Sequence, residues 1–193
     1  MIAFDESERL GELSGILEDK YAVLLKELVQ FPQIIFLSPD NLDGNFISPG
    51  IFEEQLSAGY TRTAELLHSW GKSFVVHIGG YSRSLLATLA DCGVDCVEGV
   101  CGPPQGDASI PESRSLCGNK LTLWGGLAQD WLLPSSTEAE FRMAYDLALA
   151  DIQADSRAVL GVAGKHAEKR AVLGVADRVP ADAVIERLRY MAG

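Results

Sequence analysis

The chain predicts an α/β fold built on a parallel sheet, and two observations carry that prediction. Short apolar runs recur, each ending in a polar or glycine-rich tip. They are 34–37 into Ser38-Pro39-Asp40-Asn41, 74–76 into His77-Ile78-Gly79-Gly80, 94–97 into Glu98-Gly99, 121–124 into Gly125-Gly126, and 171–175 into Ala176-Asp177-Arg178. Between the runs lie longer stretches with helical periodicity, so strands alternate with helices in the βα pattern that produces parallel sheets. Ligands of such sheets gather beyond the carboxyl ends of the strands, where these polar tips stand.

Residues 6–30 predict a helix, with Leu10, Leu13, Leu17, Leu24 and Leu28 near one face and Phe31-Pro32 as its stop. The first strand follows. A second helix is expected over 49–70: Ser48 suits the N-cap, Pro49 the first helical position, and Glu53 and Glu54 the positive end of the helix dipole. Phe52, Leu56, Tyr60, Leu67 and Trp70 give it an apolar stripe, and Gly71 ends it. Ser82 opens another helix, with Leu85, Leu86 and Leu89 inward and Gly93 as terminator. A short helix is expected over 110–117. A longer one covers 136–153, opened by Ser135 or Ser136 and packed through Phe141, Tyr145, Leu149 and Ile152. The last, over 181–191, follows Pro180 and buries Val184, Leu188 and Met191. The heptapeptide Arg-Ala-Val-Leu-Gly-Val-Ala occurs at 157–163 and again at 170–176. Two copies are too few for a solenoid and point to a local duplication. The second copy is assigned to the sheet; the first is either an extra strand or the end of the preceding helix.

At 193 residues and 47% hydrophobic content the chain predicts one domain spanning 1–193. A formal net charge of −11 excludes the basic footprint that nucleic acid or an anionic membrane requires. No apolar stretch reaches the ~18 residues of a membrane span. The first residues are acidic and precede no signal-type segment, so a cytoplasmic location is expected. Cys92, Cys96, Cys101 and Cys117 form no C-x-x-C pair and are expected to be free, buried and apolar in behaviour.

The candidate site follows from the tips. His77 would stand where the following glycines let a ligand approach the backbone, as acid, base, hydrogen-bond donor or metal ligand. Glu98, a carboxylate after an apolar run, must find a partner or face a pocket. Asp177 is the third candidate catalytic residue; with Arg178 it can equally form a mutual ion pair. Asp40 and Asn41 are candidate substrate ligands or ordinary turn residues, with Arg178 as the nearby cation and Tyr81 and Trp124 as apolar walls. The loop from Cys101 to Asp107 is placed to cover this pocket. The chain lacks a phosphate loop, a dinucleotide fingerprint, His-Glu-x-x-His and Gly-x-Ser-x-Gly.

In order, Pro39-Asp40-Asn41 with Ile47-Ser48-Pro49, Gly71-Lys72 into Val76-His77-Ile78-Gly79-Gly80, and Gly93-Val94-Asp95 with Val97-Glu98 form one ordered series. Pro103-Pro104 with Gly106-Asp107, Leu123-Trp124-Gly125 and Val179-Pro180 continue it. This series resembles the uroporphyrinogen decarboxylase superfamily, from about Asp40 to the end of the chain. The resemblance implies a (β/α)8 TIM-barrel type of fold, incomplete, matching about strands four to eight with their helices. The family's decarboxylases carry a stabilising aspartate and carboxylate-binding arginines in the amino-terminal part, which has no counterpart here. Their Gly-His-Gly after the last strand is matched by Ala176-Asp177-Arg178. The related corrinoid methyltransferases bind zinc through His-x-Cys and a later cysteine; His77 matches the histidine, but Gly79 stands in the first cysteine's place. No cofactor is therefore expected, His77 being the one residue that fits a zinc role.

The resemblance implies a lyase or methyltransferase of porphyrin-related chemistry, acting on a small acid, a tetrapyrrole or a methyl donor at the barrel mouth. Two alternatives stand beside it: a non-catalytic half-barrel completed by another copy or a complementary subunit, and a zinc-dependent methyltransferase-like protein. The expected partner is a small molecule, without nucleic acid or membrane.

Overall fold

The apolar runs lie side by side in a computed structural model that describes residues 5–155, 158–159, 171–176 and 178–192. The strands are β1 (Ile35–Leu42), β2 (Ser73–Ile78), β3 (Cys96–Cys101), β4 (Thr122–Leu127), β5 (Ala158–Val159) and β6 (Ala171–Val175). All pairings are parallel, in the order β1-β2-β3-β4-β6-β5. The helices are α1 (Ser7–Leu28), α2 (Pro49–Gln55), α3 (Ser57–Ser69), α4 (Leu86–Asp91), α5 (Ile110–Cys117), α6 (Glu138–Ala154) and α7 (Ile185–Met191). A 3-10 turn, Gln129–Leu132, links β4 to α6. Of the duplicated heptapeptide, Ala158–Val159 of the first copy forms the edge strand β5, and most of the second forms β6.

The alternation of side chains along the strands sorts the sheet into two unlike faces. Phe36, Phe74, Val76, Ile78, Val97 and Leu123 pack with Phe52, Leu67, Leu86, Leu89, Ile110 and Ile152 of the helices in one core cluster. The intervening residues Ile35, Leu37, Val75, His77, Cys96, Glu98, Thr122 and Trp124 belong to none of the core clusters. Ile35 and Leu37 are 58% and 52% exposed. Near-sequential strand order with helices packed on one face is compatible with a barrel wall; a doubly wound sheet reverses its order and covers both faces.

Several expectations change in detail. The single helix expected over 49–70 breaks at Leu56 into α2 and α3, and Trp70 is exposed rather than buried. Ser82 opens a turn, not a helix, and α4 begins at Leu86. Thr137, not Ser135 or Ser136, caps α6, in a reciprocal box with Glu140. The final helix begins at Ile185, after a turn at 181–182. The leucine stripe of α1 is real but largely uncovered: Leu13, Leu17 and Leu24 are exposed, and Leu25 is the one residue of this helix that is buried. All four cysteines are buried, as expected.

The carboxyl-terminal helix is fixed by one buried cation. Arg187 donates to the carbonyls of Trp131, Leu133 and Ser136 and to the Ser136 hydroxyl, at 2.7–2.8 Å. A buried guanidinium needs such a set of acceptors, and the irregular stretch between β4 and α6 supplies them because its carbonyls are not used in a helix or ladder.

Candidate functional site

β2 and β3 pair in register, so His77 stands directly beside Glu98, and Glu98 beside Trp124 on β4. The ring nitrogen Nδ1 of His77 lies 2.5 Å from Oε2 of Glu98. Both side chains are only 13% exposed, on the face that carries no core cluster. A carboxylate at Nδ1 fixes the ring orientation and favours the Nδ1–H tautomer, and it stabilises the imidazolium once a second proton arrives.

Glycines permit this approach. Gly99 follows Glu98 with φ +99°, where the β3–β4 register shifts, and a Cβ there would lie 2.1 Å from the Ile78 carbonyl oxygen and 3.4 Å from His77 Cε1. Any side chain at this position would push the two strand tips apart. Gly174 of β6 does the same for the neighbouring wall: a Cβ there would lie 2.7 Å from Trp124 Nε1, so the indole lies across the glycine.

Asn41 joins the site from the first strand. It adopts φ 52°, and its side chain packs so closely on Gly79 that a Cβ there would sit 1.8 Å from the Asn41 side-chain oxygen Oδ1. That places Asn41 at the carboxyl end of β2. Asp40 does not join it. The register slips between Ser38 and Leu42, and Asp40 accepts a hydrogen bond from the Tyr60 hydroxyl of α3, on the helix-covered side. Grouping Asp40 with His77 and Glu98 is thus corrected: Phe36, Ser38 and Asp40 alternate onto one side of β1, the side on which Phe36 packs against the core.

Tyr81 lies in the β2–α4 loop, its carbonyl accepting from Gly44 and its ring 42% exposed. Arg178 is exposed just past β6, and Asp177 lies outside the described residues. The loop after β3 is tied down rather than free: the Asp107 carboxylate accepts from the Ser82 and Arg83 amides, and Gln105 Oε1 from the Gln129 amide. It thereby links three consecutive βα units at the carboxyl end of the sheet.

Cys96 is a site residue that the tip pattern misses. It precedes Glu98 by two positions and so shares its face, a signal available from strand alternation. Burial, then the Glu98 and Asp95 carboxylates, push its thiol up to about 12. Among the described residues no group of three or more His, Cys, Asp or Glu side chains could hold a metal ion. The donors placed at His77, one imidazole with the Glu98 carboxylate on its Nδ1, are too few for tetrahedral zinc.

No helix among the described residues is long and apolar enough to cross a membrane. Comparison of the chain with protein-family models and with curated proteins finds no match to either.

Proposed function

We propose that the chain is the wall of a TIM-type barrel related to the uroporphyrinogen decarboxylase superfamily, and that His77 and Glu98 handle a carboxylic acid on its helix-free face. The observation that supports this reading is the 2.5 Å contact between His77 and Glu98 at matched positions of adjacent parallel strands. Loss of CO2 from a carboxylated substrate requires a proton at the carbon left behind, and an imidazolium steadied by a carboxylate is a suitable donor. In this reading Glu98 orients, His77 delivers the proton through Nε2, Asn41 offers its amide, and the Trp124 indole provides a plane for an extended apolar ring such as a tetrapyrrole.

The test is a titration with coproporphyrin III, followed by quenching of tryptophan emission from about pH 5.5 to about pH 8, around the ordinary imidazole value near 6.5. An anionic ligand prefers the protonated ring, so affinity falls as pH rises, and His77→Gln removes the slope. A flat profile with unchanged affinity in His77→Gln overturns the reading.

A second reading, a non-catalytic half-barrel that works with another protein copy, is favoured by the exposed Ile35 and Leu37 on an edge strand that pairs on one side only. Sedimentation velocity separates the two. Self-association abolished by Leu37→Asp supports this reading, and a monomer at every concentration removes it.

A further inference from the structure

The helix-covered side of the sheet carries a cavity that neither His77 nor Glu98 lines. It is a groove of about 600 Å³ between α1, α3 and the edge strand β1, within the usual range for small-molecule sites. Leu17, Tyr21 and Leu24 wall it from α1, Tyr60 and Leu66 from α3, and Phe74 from β2. It stays open because α1 packs mainly through its last turn, leaving its leucine stripe uncovered.

Five charged residues line the groove, and they are not equivalent. Glu18 and Arg62 pair with each other. Lys20 and Lys26 sit on exposed positions of α1, where long stems carry their ammonium groups into water. Asp40 is exposed too, but its strand and the Tyr60 hydroxyl fix it, and among the described residues no cation forms an ion pair with it. Burial, then Asp40 itself, push the Tyr60 phenol far above its ordinary range, so it remains a neutral donor and does not compete for the negative charge. Around that carboxylate stand aromatic rings, with Tyr60 and Phe74 5.9 Å apart and Tyr21 lining the same groove. A fixed anion at the open edge of a groove lined by aromatic rings attracts a cation by charge and by the ring quadrupoles, and the apolar groove accepts an apolar body.

We propose that this groove binds a small amphiphilic ammonium compound, its head on Asp40 beside Tyr21 and Tyr60 and its apolar body between α1 and α3. The site is independent of the His77–Glu98 pair and of any reaction there.

Calorimetric titration of the whole chain with 4-phenylbutylamine, 4-phenylbutanol and 4-phenylbutyrate tests the proposal, because the three probes share a body and differ in the head. The amine binds at least about tenfold more tightly than the other two, the scale of one charge-assisted hydrogen bond. Asp40→Asn, which keeps an acceptor for Tyr60, brings the amine down to the level of the alcohol. Tyr21→Ala, on the exposed helix where folding is not at stake, weakens the amine severalfold and the alcohol less. Equal binding of all three, preference for the butyrate, an amine affinity unchanged in both variants, or no amine binding at millimolar concentration would each overturn the proposal.

Discussion

One face of the sheet is specified by packing and the other by chemistry, and single-residue steps along the same strands separate them. Val76 and Val97 are fully buried against helices, while their neighbours His77 and Glu98 turn to the other side and hold each other. Phe36 packs into the core, and the next residue, Leu37, stands 52% exposed. The covered face behaves as an ordinary βα layer. The other combines an apolar wall with a polar pair, the composition of a surface that meets something other than water.

Truncation should break this comparison first if it is wrong. Leu123→Ala, on the covered face, should cost about 2–5 kcal/mol in urea unfolding, while Leu37→Ala should stay within ~0.5 kcal/mol. Equal losses would show that both faces are packed alike. A smaller effect is expected where the faces meet. Gly99→Ala combines a φ of +99° with a backbone clash against Ile78, whereas Gly71→Ala has φ +67° and open space around it. The Gly99 substitution should cost more than the ~1 kcal/mol of left-handed strain expected at Gly71, and should shift the His77 ring resonances by separating it from Glu98. Unmoved resonances would mean that the glycine does not set the pair.

The smallest effect lies at the rim of the covered layer. The Ser109 amide, then Arg83 and the Ser109 hydroxyl, lower the Glu112 carboxyl from 4.5 to about 2. Its folded value lies below its unfolded one, so its stabilisation is complete above about 4.5 and is lost as pH falls toward 2. Glu112→Gln should therefore flatten that part of the acid-unfolding curve and leave the profile near neutrality unchanged in shape. An identical acid limb would show that the α5 cap is not coupled to stability.

The alternation of runs and helices was legible because apolar periodicity is a property of the chain itself. Where each strand begins was not. The run 94–97 becomes a strand only at Cys96, because the Val94 amide still bonds back to Leu89 at the end of α4. Glu98 therefore lies inside β3 rather than past its end, still next to His77. Alternation from Phe36 through Ser38 already puts Asp40 on the helix side, where the Tyr60 hydroxyl meets it, so standing near a strand tip does not fix which face a residue takes. The α1 stripe shows the opposite limit: helical spacing was correct, but spacing does not reveal whether a neighbour exists to cover it.

Arg187 has a kinetic consequence. One side chain near the end of the chain holds the carbonyls of Trp131, Leu133 and Ser136, some fifty residues earlier. These contacts require α7 to dock on the segment from the 3-10 turn to the α6 cap, so ordering of that segment should be coupled to ordering of α7. In hydrogen exchange its amides and those of α7 should open together, at a lower free energy than those of β2 and β3. A protease that reaches one of these segments should then find the other already loosened.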